Sequence, residues 1–325
     1  MTHPATGPAT PQLSIQVANF AVRPLPDWHQ LADHAVAADR AGVDRLAVAD
    51  HVAFGDDLSA YGDPSVGGTA GGRQPTGPDG SWLEPLTTLA WLAARTDRIR
   101  LQTGILLAAL RRPVVLAKMA ATLDVLSEGR LDLGVGVGWQ AAEYEAAGLN
   151  FAERGHLLDE ALAVCQKLWT EDRASYHGSA LVFSGIHAQP KPTTNGKLPI
   201  WVSGTVNRRT ARRLAAFGSG WIPWGYDRND VVNGIIRMRE LLTAMGLDAG
   251  DFQVQGVLPL VKGDDSEIDI SRTMEAAPQL VAAGVTDCRI AVPVPGDVDE
   301  ATEALSELVD AFRSTVGREP AERSS

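Results

Sequence analysis

Short apolar runs alternate along the chain with longer segments in which apolar residues recur every three or four positions. The runs are typical of buried β-strands and the longer segments of amphipathic helices. Eight strands are predicted, at Leu13–Asn19, Arg45–Asp50, Ile99–Ile105, Leu131–Gly138, Ile200–Gly204, Gly220–Gly225, Gln253–Val261 and Asp287–Val294. Each precedes a predicted helical region, at Asp27–Ala41, Glu84–Arg95, Val114–Leu126, Ala141–Trp169, Arg208–Phe217, Asn229–Met245, Arg272–Ala283 and Val298–Thr315.

This alternation is typical of parallel strands joined by crossover helices, which makes the fold class α/β. Eight strand–helix units are the number that a closed (β/α)8 barrel, a TIM barrel, requires. We therefore expect one barrel over residues 12–316, between disordered tails at 1–11 and 317–325. A doubly wound open sheet is the alternative fold.

Two segments interrupt the alternation. Phe54–Ser81 is long and rich in glycine, and it follows the second strand at the end where barrel active sites lie. We interpret it as a mobile lid, with an insertion that has no role as the alternative. Ala174–Pro192 has alternating apolar residues around Gly178, which predicts a small antiparallel hairpin before the fifth strand.

Composition narrows the possible partners. The chain has 325 residues, 45% of them hydrophobic, and a formal net charge of −11. No run of lysine or arginine is present, so nucleic acid and anionic membrane surfaces are not expected as partners. Cys165 and Cys288 lie far apart in apolar patterns and are expected to be packed thiols. The amino-terminal segment lacks both the basic and the apolar region of a signal peptide, which predicts a cytoplasmic protein.

The glycine-rich turn at Leu131–Gly148 runs from a strand directly into a helix, an arrangement that suits a phosphate group. It is not a dinucleotide fingerprint, because the third glycine of G-x-G-x-x-G counted from Gly134 falls on Trp139. A second strand-to-helix turn, at Ser203–Thr205, is followed by Arg208, Arg209, Arg212 and Arg213. Its hydroxyls could cap the helix or bind a phosphate, or the turn could be an ordinary cap beside a solvated basic face.

Few ionisable residues stand at the carboxyl ends of the predicted strands. Asp50 and His51 form the closest acid and base there, and histidine exchanges protons near neutral pH. A structural role for both, as a cap and a filler, is the alternative. The chain contains no Gly-x-Ser-x-Gly elbow, no Walker loop and no histidine-rich metal spacing. Redox chemistry by a bound organic cofactor, without a metal, is favoured by elimination.

Taken together, these motifs resemble the luciferase-like monooxygenase superfamily, and most closely its deazaflavin (coenzyme F420)-dependent oxidoreductases. The resemblance covers Leu13 to about Phe312, and it is most specific in the block from Thr103 to Gly155, TGILLAALRRPVVLAKMAATLDVLSEGRLDLGVGVGW followed by EYEAAGLNFAERG. It is supported by LWTEDRASYHG, QPKP, PIWVSG and GSGWIP.

The resemblance implies a barrel with F420 or a flavin lying across its mouth. It implies that a bulge at Gly104-Ile105, commonly with a non-proline cis peptide, backs the cofactor ring. It also implies that Asp50 contacts the deazaflavin, that His51 is catalytic, and that two turns contact the phosphate. The implied cofactor-binding set is Asp50, Thr103, Gly104, Ile105, Val137, Gly138, Trp139, Ser203, Gly204 and Thr205.

Departures from the family pattern affect the expected substrate. Sugar-phosphate dehydrogenases of the family carry Glu directly after the Gly-x-Gly of the fourth strand, where this chain has Trp139, so a sugar phosphate is not expected. Arg112 replaces a common Asn, and the Gly-rich segment is longer than usual. Trp82, Trp139 and Trp224 could form an apolar pocket above the ring, or could be ordinary packing.

The expected function is an F420-dependent oxidoreductase that moves a hydride between the deazaflavin C5 and a small organic substrate. One alternative is a two-component monooxygenase that uses reduced FMN and O2 and depends on a separate flavin reductase. Another is a catalytically silent barrel that binds a flavin or a small ligand. Members of the family are often dimers, so the resemblance implies a homodimer.

Overall fold

A computed structural model describes residues 10–23, 26–264 and 266–319. The strands of these ranges are β1 (Gln12–Gln16), β2 (Phe20–Ala21), β3 (Arg45–Val48), β4 (Ser81–Trp82), β5 (Arg100–Thr103), β6 (Leu131–Val135), β7 (Ala174–His177), β8 (Val182–Ile186), β9 (Ile200–Gly204), β10 (Gly220–Pro223), β11 (Gln253–Val257) and β12 (Asp287–Ile290). The helices are α1 (His29–Ala41), α2 (Pro85–Ala93), α3 (Pro113–Leu126), α4 (Ala141–Ala146), α5 (Arg154–Thr170), α6 (Arg208–Phe217), α7 (Tyr226–Asn229), α8 (Val231–Ala244), α9 (Ile270–Met274), α10 (Ala277–Ala282) and α11 (Val298–Thr315).

Eight parallel strands close into a barrel in the order β1, β12, β11, β10, β9, β6, β5 and β3. Closure is made by β1, which pairs with β12 on one side and with β3 on the other. The order follows the chain once around the barrel, as right-handed crossovers through helices require. The predicted (β/α)8 barrel is confirmed, and the alternative of an open sheet is wrong.

Two small antiparallel sheets lie outside the barrel. The hairpin of β7 and β8 confirms the prediction for Ala174–Pro192. The pairing of β2 with β4 was not predicted, because two-residue strands leave no alternating pattern. It brings the rings of Phe20 and Trp82 into a stack with centroids 4.4 Å apart.

Several predicted elements are shorter or divided in the structure. The helix predicted at Arg272–Ala283 consists of α9 and α10, since Pro278 in the first turn of α10 has no N–H to donate to a continuous helix. The helix predicted from Asn229 begins as the single turn of α7 before α8. Strands β5 and β12 end at Thr103 and Ile290, so the residues after them form loops at the barrel mouth.

The barrel interior holds charged side chains at its amino-terminal end. Arg45, Asp132 and Asp287 form what we call the closed charge layer. Nε of Arg45 lies 2.8 Å from Asp132, and its Nη1 lies 2.8 Å from Asp287. Burial raises the pKa of Asp132, but Arg45 and Arg100 outweigh burial and hold that pKa below its usual value. All three side chains are buried and compensate each other's charge.

The two ends of the described chain meet beside Asp44. Arg318 donates to the Asp44 carboxylate at 2.7 Å and to the carbonyl of Pro11 at 2.6 Å. The predicted disordered tails fall mostly outside the described residues and stay predictions. Within the described ranges, no helix has the length and apolar character needed to cross a membrane.

Candidate functional site

A cavity of about 500 Å³ opens at the carboxyl ends of the barrel strands. In a (β/α)8 barrel this is the end that carries the active site. The predicted site residues that line the cavity are Asp50, His51, Gly104, Ile105, Val137, Gly138, Trp139, Ser203, Gly204 and Thr205. Thr103 does not line it. Its side chain is fully buried and its hydroxyl donates to the carbonyl of Gly134 at 2.7 Å, so the structure does not bring Thr103 to the cavity with the other predicted residues.

The peptide bond between Gly104 and Ile105 is cis, which confirms the implied feature at the end of the third barrel strand. The segment that begins at Ile105 packs closely on two glycines of the turn that follows β6. A Cβ on Gly136 would lie 2.7 Å from the Ile105 side chain, and a Cβ on Gly138 would lie 2.8 Å from that of Leu107. These glycines therefore admit the neighbouring strand segment, whereas the sequence suggested that they admit a phosphate. Phosphate contact by the Gly138-Trp139 backbone stays a prediction.

Asp50 is held by protein groups. Its carboxylate accepts from Arg111 at 2.6 Å and from the backbone N–H of Leu107 at 2.8 Å, and its side chain is fully buried. Arg111 also donates to Glu84 at 2.8 Å. Burial lowers the pKa of Arg111, but the two carboxylates outweigh burial and leave the pKa above its usual value. Asp50 is thus anchored to Arg111. The sequence suggested Asp50 and His51 as an acid and base pair, but in the structure the two side chains have different partners.

His51 is paired with a carboxylate that the sequence did not identify. Its Nδ1 lies 3.2 Å from Oε2 of Glu143, on α4, while Oε1 of the same residue accepts the backbone N–H of Val52 at 2.5 Å. The Glu143 side chain is fully buried. A carboxylate at Nδ1 favours the tautomer that carries its proton there and orients the ring. Nε2 of His51 makes no hydrogen bond to any residue in the described ranges, and His51 lines the cavity.

Aromatic rings surround the imidazole of His51. The rings of Phe54, Trp82 and Trp139 have centroids 4.5, 4.8 and 5.7 Å from it. Tyr61 packs edge-on against Trp139 at 5.4 Å and faces Trp224 at 6.4 Å. The three tryptophans singled out in the sequence thus line one cavity. Their apolar surface lowers the water content around Nε2, which strengthens electrostatic interactions there.

The glycine-rich insertion lies over the cavity. Its residues Tyr61, Pro64, Ser65, Gly67, Gly68, Gln74 and Pro75 line the cavity. Two indole N–H groups hold it in place, since Trp224 donates to the carbonyl of Gly67 and Trp82 donates to the hydroxyl of Thr76, both at 2.9 Å. The position expected of a lid is therefore observed, and its mobility stays a prediction.

The turn after β9 differs in detail from the expectation. The helix α6 is capped by Asn207, whose side chain accepts the backbone N–H groups of Arg209 and Thr210, so neither Ser203 nor Thr205 is the cap. Both residues line the cavity, and the Thr205 hydroxyl accepts from the side-chain amide of Asn207 at 3.2 Å. The turn keeps its predicted suitability for a phosphate group.

Arginines dominate the charge of the cavity lining. Arg154, Arg209, Arg213, Arg228 and Arg289 line it, whereas Asp50 is its only carboxylate among the described residues. Arg213 is paired with Asp159 at 2.5 Å, but the other four make no ion pair with a described carboxylate. No cluster of side chains suited to a metal ion occurs within the described ranges. The cavity therefore suits an anionic organic ligand.

The sequence of the chain matches known proteins over most of its length. Residues 2–276 match the model of a family described as luciferase-like monooxygenase. An F420-dependent glucose-6-phosphate dehydrogenase of Segniliparus rotundus is 29% identical over 308 residues, 90% of this chain and 82% of that protein. An uncharacterized protein of Mycobacterium tuberculosis is 34% identical over 166 residues, 51% of this chain. The matched part spans only 58% of that relative's length.

Solved structures share the fold at low sequence identity. An F420-dependent secondary alcohol dehydrogenase in complex with an F420-acetone adduct superposes with a TM-score of 0.70 at 16% identity, covering 94% of this chain and 99% of the other. The oxygenating constituent of 3,6-diketocamphane monooxygenase from Pseudomonas putida, in complex with FMN, gives 0.65 at 14% identity, with 92% and 96% covered. At such identities the likeness shows the fold.

Proposed function

Since this chain belongs to the luciferase-like monooxygenase family, whose members include F420- and flavin-dependent oxidoreductases, we propose that it is an F420-dependent oxidoreductase acting on a small organic substrate. The observation that carries the proposal is the buried pair of His51 and Glu143 in an aromatic cavity. When bound, the deazaflavin supplies or takes up a hydride at its C5, and the matching proton needs a carrier on the protein.

His51 has the geometry of that proton carrier. In the direction of substrate oxidation, Nε2 takes the hydroxyl proton while the substrate carbon loses a hydride. An alcohol thus becomes a carbonyl compound, the hydride carries away two electrons with one proton, and the second proton goes to Nε2. In the reverse direction Nε2 returns the proton to the oxygen. Glu143 accepts a hydrogen bond from Nδ1 and orients the ring with Nε2 toward the cavity, which makes Glu143 a positioning residue.

The rest of the cavity fits an extended, phosphate-bearing cofactor. Gly104-Ile105 would back the ring, Ser203 to Thr205 would bind the phosphate, and the Asp50 side chain would hold the loop of Leu107 behind the ring. The arginines Arg154 and Arg209 lie near the phosphate-suited turn. Neither makes an ion pair with a described carboxylate, although Arg154 donates to the carbonyls of Phe151 and Val66. Their positive charges suit the additional anionic groups of the F420 tail, which FMN lacks, and this favours F420.

A two-component monooxygenase that uses reduced FMN and O2 is the second candidate. It is favoured by the family itself and by the likeness to a monooxygenase constituent in complex with FMN. This function would require a separate flavin reductase as a partner. The proposed homodimer is compatible with either function.

Titration of the purified full chain with F420 and with FMN, oxidised and reduced, tests the choice. We expect F420 to bind and its reduced form to be reoxidised in the presence of a small carbonyl compound from a panel. Tight binding of FMN without a response to F420 would overturn the proposal in favour of the monooxygenase. Binding of a cofactor with no turnover of any panel compound would leave the catalytically silent barrel.

A further inference from the structure

Arg289 lies at the floor of the cavity, and only part of its guanidinium is hydrogen-bonded to described residues. It lies on β12, is only 8% exposed, and lines the cavity. Its Nη2 donates to Oε1 of Gln102 at 2.5 Å, and its Nε lies 3.4 Å from the hydroxyl of Ser14. Its Nη1 has no hydrogen-bond partner among the described residues. A buried polar group without a partner is costly, and a buried charge more so.

The nearest carboxylate does not neutralise Arg289. Asp287 lies two residues earlier on the same face of β12, but its carboxylate accepts from Gln255 at 2.6 Å and from Ser14 at 3.0 Å, and lies 2.8 Å from Arg45. Burial lowers the pKa of Arg289 to about 10; Asp287 opposes this shift, whereas the charges of Arg45 and Arg228 add to it. The guanidinium is therefore a cation at neutral pH without a paired anion.

The free Nη1 lies beside the bulge that follows β5. A Cβ on Gly104 would stand 2.8 Å from this nitrogen, so the absence of a side chain at position 104 lets the guanidinium keep its position. A positive charge therefore lies next to the peptide bond between Gly104 and Ile105. The phosphate-suited turn at Ser203–Thr205 follows β9, and two strands, β10 and β11, separate β9 from β12 in the barrel, so a ligand that binds the turn by its phosphate would present a different group to Arg289.

The part of the ligand that contacts Arg289 must carry negative charge or carbonyl oxygens along a planar edge. A guanidinium is planar and holds its N–H donors in a fixed arrangement that matches such an edge. The ring of F420 or FMN has such an edge, in which N1 takes up negative charge on reduction beside the C2 carbonyl. We propose that Arg289 binds the N1 and C2-carbonyl edge of the cofactor ring and stabilises its anionic reduced form. This inference rests on the proposed function, and a substrate carbonyl or carboxylate is the other possible source of the same chemistry.

The test compares the full-length protein with R289M, which removes the charge at similar volume, and R289K, which keeps it. R272M is the matched control, because Arg272 is an exposed arginine of α9 outside the cavity. The dissociation constants of oxidised and reduced F420 are measured without substrate. We expect R289M to weaken binding of the reduced form about 10-fold more than binding of the oxidised form, a fall of ~30 mV in the midpoint potential of this two-electron couple. R289K should retain most of the difference, and R272M all of it.

The possible results separate the two proposals. If the wild-type protein binds neither F420 nor FMN, the proposed function fails and this inference with it. If the wild-type protein binds a cofactor and R289M weakens both of its redox forms equally, only the inference on Arg289 is overturned. If the affinities for cofactor are unchanged and only the KM for substrate rises, Arg289 binds the substrate and the inference is also overturned.

Discussion

Two groups of buried charge in the barrel interior differ in how they are partnered. In the closed charge layer, Arg45 lies between Asp132 and Asp287, and no member lines the cavity. Nearer the mouth, Nη1 of Arg289 has no protein partner among the described residues, whereas His51 is paired with Glu143 through Nδ1 and leaves only Nε2 without a partner there; both side chains line the cavity. An ion pair that is closed within the protein can hold the barrel together, whereas an atom without a protein partner is available to a ligand. The difference predicts that mutations in the closed charge layer mainly lower stability, whereas mutations of His51 and Arg289 mainly lower activity or cofactor binding.

Replacing His51 by Asn should have the largest effect on activity. Asn can still donate to Glu143, so the local fold is kept, but it cannot carry a proton. We expect turnover of the F420-loaded protein to fall roughly 10²–10⁴-fold, with cofactor affinity and melting temperature close to those of the wild type. Steady-state kinetics with the carbonyl panel measures this.

The control for this substitution is H187A, which removes an exposed histidine outside the cavity. A second variant, E143A, tests the positioning role, since misplacement of His51 alone can cost up to about 10²-fold. E143Q, which keeps an acceptor oxygen beside Nδ1, should restore part of the turnover that E143A loses, which a purely structural loss would not allow. Undiminished turnover in H51N would remove His51 from the mechanism.

Replacing Arg45 by Met should have the largest effect on stability. It leaves Asp132 and Asp287 buried without their shared cation, so we expect a loss of about 3–5 kcal/mol in the free energy of unfolding. R289M should cost less in the cofactor-free protein, about 1 kcal/mol, because it removes the hydrogen bonds to Gln102 and Ser14 but leaves no buried charge without its partner. Urea unfolding of the two variants side by side measures the difference. If both variants lost the same free energy of unfolding, Arg45 and Arg289 would be equally well paired, and the proposed difference between them would be wrong.

Much of the fold was predictable because buried parallel strands leave short apolar runs between helical patterns. The bounds of β9, α6 and α11 were predicted to the residue. The errors have physical causes. Strands predicted to run past Thr103 and Ile290 end there because the barrel opens into its mouth, and apolar loop residues resemble strand residues in the sequence. The pairing of β2 with β4 depends on a contact across the insertion.

The site was predictable only in part. The residues at the strand ends could be located because the barrel brings the carboxyl ends of its strands together. The pairs of side chains could not be predicted. Asp50 and His51 are adjacent in sequence, but Asp50 pairs with Arg111 and His51 with Glu143, which lie 61 and 92 positions away. One signal was present: Asp287 and Arg289 place charges at alternate positions of an otherwise apolar strand, which is unusual for a buried strand.

The smallest expected effect concerns Glu84, a half-buried residue at the start of α2. Glu84 has protein partners, like the closed charge layer, but it is less buried than that layer. It accepts the backbone N–H of Thr87 at 2.7 Å and pairs with Arg111. Burial raises its pKa, but these hydrogen bonds outweigh burial and hold the pKa below its usual value. Because its pKa is lower in the folded protein, Glu84 stabilises the fold above about pH 4.3, its pKa in the unfolded chain. This stabilisation is lost as the pH falls through the pKa of the folded protein.

E84A should therefore lower the free energy of unfolding by about 1 kcal/mol near neutral pH, and its difference in stability from the wild type should become smaller in acid. E84Q keeps the capping oxygen and should cost less. Urea unfolding at several pH values measures both, and a pH-independent difference would assign the effect to packing, with no contribution from the charge.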